Sequence, residues 1–296
     1  MGMPDLSFGV ITLQSQPWSV LAKSWKHIES LGFDSAWVAD HFLNYRMPTR
    51  PYFEAWTLLS GLAAVTEKIR VGTLVTAAPL RHPSMLARQA LTTDHISNGR
   101  LNLGIGTGVA GALGETVYEM IGIDDWGPAE RIARFREQIQ ILDKLLSERV
   151  SSYSGKYYRL KDVAMYPSTV QQPRPPITVG SIGPKTLKIA AEFADTWNTF
   201  GGRGLDTKEM YETVTTQSHL IDDYCDEFGR SPESLRRSIL VAGSDELIES
   251  DDEFSKYVDR YSDLGFEEFI VYYPFIDEKK KMFERIARDV IPSYRA

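Results

Sequence analysis

The sequence has little cysteine, no long apolar run and no excess of positive charge. Cys225 is the one cysteine among 296 residues, which excludes an intramolecular disulfide and a cysteine-based metal cluster. No stretch approaches the roughly eighteen consecutive apolar residues of a membrane-spanning helix, and residues 1–10 lack a basic segment followed by an apolar one. These absences predict a cytoplasmic protein with neither a signal peptide nor a membrane span.

The charge balance argues against a protein that grips nucleic acid. The formal net charge is −7, whereas nucleic-acid binding needs a basic face. The five histidines show no metal-ligand spacing, so no metal site is expected. A hydrophobic content of 43% and a charged content of 25% are typical of a soluble globular protein.

Strand and helix patterns alternate from one end of the chain to the other. Short runs rich in Val, Ile and Leu are separated by segments with apolar residues at helical spacing. Repeated strand–helix units predict a parallel sheet, either open or closed as a barrel, in one domain spanning 1–296. The eight predicted strands are 6–13, 34–38, 69–75, 101–105, 177–180, 196–199, 237–242 and 269–272.

Two segments interrupt the alternation. Residues 109–127 are rich in glycine and predict a long loop or short irregular helix over the mouth of a barrel. Residues 153–176 are aromatic, basic and proline-rich, and we interpret them as an insertion that includes a hairpin. Long loops in compact domains are usually functional, so these two segments are candidates for shaping a substrate pocket.

Glycines gather at the end of the fourth strand. Gly104, Gly106 and Gly108 predict backbone amides left bare for a phosphate or another closely approaching ligand. Residues 106–111 also match the dinucleotide fingerprint GxGxxG, but this match follows the fourth strand instead of the first, which disfavours a Rossmann site.

Several motifs resemble one family. They are Pro83, Leu86-Ala87, Thr93-Asp94, Gly99-Arg100 and 103–108, with further likeness at 32–42, 179–184, 190–191 and 194–197. In this order and spacing they resemble the luciferase-like flavin and deazaflavin oxidoreductases, and the likeness covers about two thirds of the chain. The resemblance implies a (β/α)8 TIM barrel, whose active site lies where the strands end.

His41 follows the second predicted strand and is the first candidate for catalysis. An imidazole exchanges a proton near neutral pH, and the adjacent Asp40 could orient a neighbour, although adjacent strand residues point to opposite sides. The alternative is a histidine that only caps the loop. The resemblance implies that an Asp-His pair here lies against the reactive ring carbon of a deazaflavin, with His41 as acid or base and Tyr45 as an aromatic contact of the ring.

One position departs from the family pattern. The sugar-phosphate dehydrogenases of the deazaflavin branch carry a glutamate as proton donor after Gly-Thr-Gly, where this chain has Val109. That activity is therefore disfavoured, and His41 alone, or His41 with Glu54, would supply protons. Tyr45, Val109 and Trp126 are the candidate pocket residues, although an aromatic such as Trp126 serves equally well to anchor a loop.

The resemblance also implies a cofactor site at the strand ends. Many family members have a strained bulge under the flavin ring at the positions of Leu74, Val75 and Thr76. The cofactor phosphate is expected near a second group, because Pro184 begins a helix whose amino end favours anions. This group comprises Thr107, Gly108, Gly180, Ser181, Ile182 and Gly183.

The predicted function is hydride transfer between the deazaflavin coenzyme F420 and a small organic substrate. Asp-His-Phe at 40–42 favours the deazaflavin branch. One alternative is a monooxygenase that uses FMN reduced by a partner flavin reductase, and another is a barrel without catalytic activity. The resemblance suggests a homodimer.

Overall fold

A closed ring of parallel strands forms the centre of the protein. The computed structural model describes residues 6–45, 47–109, 111–241 and 249–295, without the side chains of 112, 113 and 115. Each barrel strand pairs in parallel with its neighbours, and pairing of β3 and β4 with β5 closes the ring. In order around the barrel the strands are β3 (Arg70–Thr73), β2 (Ser35–Val38), β1 (Ser7–Thr12), β11 (Glu268–Tyr272), β10 (Arg236–Leu240), β9 (Thr196–Thr199), β8 (Ile177–Gly180), β5 (Leu101–Gly106) and β4 (Thr76–Ala77). Since β3 and β4 are two parts of one strand, this is the predicted (β/α)8 barrel.

Helices connect successive strands and cover the outside of the barrel. Pro83, Pro128 and Pro184 each open one of them, as expected for proline at a first helical position. The described helices are α1 (Trp18–Ser30), α2 (Ala55–Ala64), α3 (Pro83–Ile96), α4 (Ala112–Ile121), α5 (Pro128–Ser147), α6 (Pro184–Phe193), α7 (Thr207–Glu227), α8 (Asp251–Ser262) and α9 (Asp277–Arg285). No described helix has the length and apolar character needed to cross a membrane.

Alternation along the strands separates two apolar layers. Ala36 and Val38 of β2 belong to the large cluster between the barrel and the helices, whereas Trp37 and Ala39 belong to a smaller cluster. Trp37 lies inside the barrel, where its indole covers Gly72, its pairing partner on the neighbouring strand β3. Side chains on a strand point alternately to its two faces, so each strand contributes to both layers.

A bulge divides β3 from β4. Thr76 lies four residues after Gly72, but its partner Ile105 lies only three residues after Asn102, so one extra residue is inserted. The extra length falls at Leu74-Val75, where the peptide bond is cis.

The glycines of β5 face this bulge. A Cβ built on Gly104 would lie 1.8 Å from the carbonyl oxygen of Thr73, and one on Gly106 would lie 2.6 Å from the Val75 side chain. A Cβ on Gly180 of β8 would lie 2.9 Å from the same valine. Gly104 and Gly106 therefore make room for the bulged strand, and the exposure of their amides to a phosphate stays a prediction.

Both interrupting segments contain regular structure. The predicted loop at 109–127 includes helix α4, which ends at Gly122 in the left-handed conformation, φ 68°. The predicted hairpin is formed by the antiparallel strands β6 (Val150–Ser154) and β7 (Arg159–Ala164), and it begins three residues earlier than predicted. Sequence reasoning missed the first three residues of β6 because Val150, Ser151 and Ser152 carry no continuous apolar pattern.

Candidate active site

Strand β2 delivers two adjacent residues to different environments. Ser35, Trp37 and Ala39 face the barrel interior, so His41 continues the inward series at the mouth of the barrel. Asp40 continues the outward series and contacts the helix layer instead. The expected division between adjacent residues is therefore present, and Asp40 is placed to support the site from behind.

His41 lies among tyrosines with one ring nitrogen unpaired. Its ring centroid is 4.6 Å from that of Tyr45 in an edge-on arrangement and 6.5 Å from that of Tyr52. The Nδ1 atom is buried and has no hydrogen-bond partner. Burial, reinforced by the charge of Arg203, lowers the pKa of His41 to about 4, so the imidazole is neutral at neutral pH.

The phenols around His41 remain protonated at neutral pH. Burial raises the pKa of Tyr45 to about 12, and burial also raises the pKa of Tyr52 and of Tyr118. The charge or dipole of Tyr118 and the charge of Arg203 both act on Tyr45, which places these two residues beside the same mouth. Sequence reasoning missed Tyr118 and Arg203, because both lie in segments outside the strand–helix pattern.

Asp40 is occupied by a cation and a backbone amide. Its Oδ2 accepts a hydrogen bond from the backbone N–H of Ala77 at 3.1 Å and a charged one from Arg81. The other end of the Arg81 guanidinium contacts Glu54. Burial raises the pKa of Asp40, and the charge and hydrogen bond of Arg81 oppose this rise.

Glu54 is a helix cap in this structure. Its carboxylate accepts hydrogen bonds from the backbone of Trp56 at 3.0 Å and Thr57 at 2.7 Å, at the start of α2. Burial raises the pKa of Glu54, but the hydrogen bonds from Thr57 and Trp56 and the charge of Arg81 outweigh it, so the pKa is lowered. An ionised, hydrogen-bonded cap is poorly suited to the proton-donating role considered for Glu54.

The backbone of Val109 is held from two sides. Its carbonyl accepts a hydrogen bond from the hydroxyl of Tyr118 at 2.9 Å and another from the buried guanidinium of Arg131. The preceding Gly108 has φ 80°, and a Cβ there would lie 2.7 Å from both Pro79 and the Tyr118 hydroxyl. The segment that follows β5 is thus fixed close to the ring of Tyr118.

Trp126 anchors the hairpin. The guanidinium of Arg134 lies 4.6 Å from the ring of Trp126, and it lies 4.5 Å from Tyr157 and 5.8 Å from Tyr158. Tyr157 and Tyr158 follow strand β6, so the cation joins α5, the preceding loop and the hairpin. These contacts favour the loop-anchoring interpretation of Trp126 over the pocket-wall interpretation.

The predicted phosphate-binding residues form the start of α6. Gly183 caps this helix without a side-chain hydrogen bond, and Ile182 is exposed. Ser181 is 6% exposed and its hydroxyl is buried without a partner, while its backbone N–H donates to Asn198 at 3.0 Å. An unpaired hydroxyl beside a helix amino terminus is suited to an anion.

The side chains of the three bulge residues lie in different surroundings. Leu74 belongs to the cluster inside the barrel, and Val75 packs against it. Thr76 is fully buried, and its hydroxyl accepts a hydrogen bond from the Trp56 indole at 3.1 Å and contacts the Thr73 hydroxyl at 2.9 Å. The Thr76 side chain therefore braces the bulge instead of facing a ligand. Within the described ranges, no group of three or more His, Cys, Asp or Glu side chains is arranged to hold a metal ion.

Comparison with known proteins identifies the family. Residues 6–244 match the family model described as luciferase-like monooxygenase. An F420-dependent glucose-6-phosphate dehydrogenase of Kineococcus radiotolerans is 35% identical over 179 residues, which are 60% of this chain and 51% of the relative. The chain thus spans about half the length of this relative.

Solved structures share the fold. The coenzyme F420-dependent tetrahydromethanopterin reductase of Methanopyrus kandleri superimposes with a TM-score of 0.79 at 20% identity, covering 98% of this chain and 100% of that one. A monooxygenase from Streptomyces bottropensis gives a TM-score of 0.78 at 20% identity, with the same coverage of both chains. At such identities the likeness is one of fold, and it includes both deazaflavin enzymes and monooxygenases.

Proposed function

Because this chain belongs to the luciferase-like monooxygenase family, we propose that it is an oxidoreductase that uses coenzyme F420 to oxidise or reduce a small organic substrate. The observation that carries the proposal is the environment of His41, a neutral imidazole at the barrel mouth with an unpartnered, buried Nδ1. The F420-dependent activity of the relative from Kineococcus radiotolerans supports the choice of cofactor.

The residues at the strand ends fit such a cofactor. The Nδ1 of His41 and the hydroxyl of Ser181 are buried polar atoms that have no hydrogen-bond partner among the residues that the structure describes. Buried polar atoms are usually hydrogen-bonded, so two of them at the same end of the barrel indicate a polar ligand. We assign the ring to the space between His41 and Val75, and the phosphate to Ser181, Gly183, Thr107 and the amino end of α6.

When bound, F420 supplies the hydride chemistry, and the protein supplies orientation and a path for the proton. A neutral His41 accepts the proton of a substrate hydroxyl when the substrate is oxidised, and returns it in the reverse direction. Tyr45 stays protonated and acts as a hydrogen-bond donor to a substrate oxygen, whereas the Tyr118 hydroxyl donates to the carbonyl of Val109. Since Val109 carries no acid, His41 is the proton-transfer group.

Paired titrations and one variant test the proposal. Purified protein is titrated with F420 and with FMN under anaerobic conditions, and we expect F420 to bind in the micromolar range or tighter and FMN to bind much more weakly. His41→Gln should keep F420 binding and lose turnover, whereas the control His95→Gln should retain both, because His95 bonds to the carbonyl of Ser168 away from the mouth.

The outcomes separate the alternatives. A preference for FMN, with oxygen consumption in the presence of a flavin reductase, would replace the proposal with the monooxygenase. Ligand binding with equal turnover in wild type and His41→Gln would remove His41 from the chemistry.

We also propose that the protein is a homodimer. The outward face of α2 offers a surface for it, because none of the residues Ala55–Ala64 is charged. Trp18 of α1, which is 43% exposed, lies against Gly61 of α2. The absence of charged residues and the exposure of an aromatic ring are typical of the centre of a protein interface.

A further inference from the structure

We propose that Arg81 is a positioning residue for the active site, which holds His41 in place through Asp40. The ligand-binding arm of this inference rests on the proposed function, whereas its structural arm does not. Arg81 follows β4 by four residues, and its side chain is 11% exposed. It lies between the carboxylates of Asp40 and Glu54 and contacts both.

The guanidinium of Arg81 and the carboxylates of Asp40 and Glu54, which we call the clamp, lie where three elements meet. Asp40 follows β2, Ala77 ends β4 directly after the bulge, and Glu54 caps α2. Arg81 contacts the first and the third of these residues, and the amide of Ala77 donates to the first. Arg81 therefore ties the end of β2 to the start of α2, and it pairs with the same carboxylate that bonds to the strand end after the bulge.

His41 is the residue whose position this clamp determines. On its amino side, Asp40 is fixed by Arg81, and the carbonyl of Ala39 accepts hydrogen bonds from Gln14 and, at 3.4 Å, from Tyr52. The imidazole itself has no hydrogen bond at Nδ1 that would orient it. The backbone on which His41 stands, together with the ring of Tyr45, is what aims it across the barrel mouth.

The geometry assigns Asp40 a supporting task. A carboxylate that acts as the proton partner of His41 would hydrogen-bond to the imidazole, but the carboxylate of Asp40 binds Arg81 and Ala77 instead. Asp40 is 2% exposed, and a buried carboxylate needs a cation and hydrogen bonds to remain ionised. Arg81 supplies the cation, and the amide of Ala77, directly after the bulge, supplies a hydrogen bond.

Removing the charge of Arg81 distinguishes a positioning role of this residue from a packing role. Among the described residues, the charged or titratable groups recorded as interacting with Asp40 besides Arg81 are Glu54, Tyr45 and Tyr52, none of which is positive. In Arg81→Gln the buried Asp40 loses its cation, and its pKa, which burial already raises in wild type, rises further above that of the unfolded chain. Stability that is present at low pH is then lost as pH rises through the raised pKa.

The experiment compares Arg81→Gln, Arg81→Lys, the double variant Asp40→Asn with Arg81→Gln, and the control Arg88→Gln. Arg88 is a matched control because it too donates to oxygen atoms, the carbonyls of Ala164 and Tyr166, but at the hairpin. The unfolding midpoint of the ligand-free protein is measured from about pH 5 to about pH 8, together with the Kd for F420.

We expect the midpoint of Arg81→Gln to fall with rising pH relative to wild type, and the double variant to lose that slope. F420 binding should weaken about tenfold to a hundredfold in Arg81→Gln and in the double variant, as loss of a supporting residue does at metal sites, because the backbone at the end of β2 then shifts relative to the bulge against which we assign the ring. His41→Gln leaves that backbone in place and therefore keeps binding. Arg81→Lys should restore most of the affinity, and Arg88→Gln should match wild type.

Wild-type affinity in the folded double variant would overturn the proposal, because the site would then be formed without the clamp. If Arg81→Gln alone fails to fold, the double variant decides, since it buries no unpaired charge. Should wild type bind FMN in place of F420, the proposed cofactor fails, and the same comparison with FMN still decides the role of Arg81.

Discussion

Replacing Gly106 with alanine tests whether the glycine-rich end of β5 exists for the bulge or for a ligand. The φ angle of Gly106 lies outside the left-handed region, so alanine fits the backbone. Its Cβ would lie 2.6 Å from Cγ2 of Val75 and an ordinary 3.5 Å from the carbonyl oxygen of Gly180. One contact therefore dominates the expected effect.

The magnitude follows from two opposing contributions. Forcing a methyl group into a packed site costs about 1–3 kcal/mol, and glycine-to-alanine replacement returns about 0.4–1 kcal/mol by restricting the unfolded chain. Gly106→Ala should therefore lower the free energy of unfolding by about 1–2 kcal/mol. In a Val75→Ala background the clashing methyl is absent, and the same change should be neutral or stabilising by up to about 1 kcal/mol.

Urea unfolding of wild type, Gly106→Ala, Val75→Ala and the double variant measures the interaction free energy between positions 75 and 106. The control is Gly127→Ala, because a Cβ on Gly127 meets nothing within 4 Å. Additive effects of the two changes would refute the steric explanation. Unchanged stability with weaker cofactor binding would instead restore the ligand-based reason for the glycine.

Two further predictions concern His41 and the surface of α2. The pKa of His41 is about 4, below the ordinary value of 6.5, so the unfolded state binds more protons between these values and stability falls as pH is lowered through this range. We expect a loss of up to about 3 kcal/mol, measured by unfolding as a function of pH, which is absent in His41→Gln. Thr57→Glu places a charge on the uncharged, exposed side of α2, and light scattering should show a monomer where wild type is a dimer; equal masses would contradict the proposed interface.

The fold was predictable because its signals are local. Most barrel strands are short runs rich in apolar residues, most helices show three-and-four spacing, and prolines mark three helix starts, so the order of elements follows from neighbouring residues. The helix within 109–127 was harder to predict, since Gly111 and Gly114 dilute its apolar spacing. His41 was found because a titratable residue directly follows a predicted strand.

The supporting residues carried no such signal. Arg81 is 41 positions away from Asp40 in the chain, and an arginine before a helix gives no indication of which carboxylate it will bind. Tyr118 contacts Val109 only because α4 folds back over the end of β5. Contacts of this kind depend on the three-dimensional placement of separate elements, which periodicity does not encode.

The alternation of β2 explains how neighbouring residues can serve chemistry and support separately. His41 faces the mouth with an unpaired nitrogen, whereas Asp40 faces the helices with its Oδ2 bonded to Ala77 and Arg81. An unpaired buried polar atom is unfavourable for stability, so the protein must hold it with groups that are themselves satisfied. The ionic cluster behind the strand provides such groups, and it lies on the face opposite to the site because a strand has only two faces.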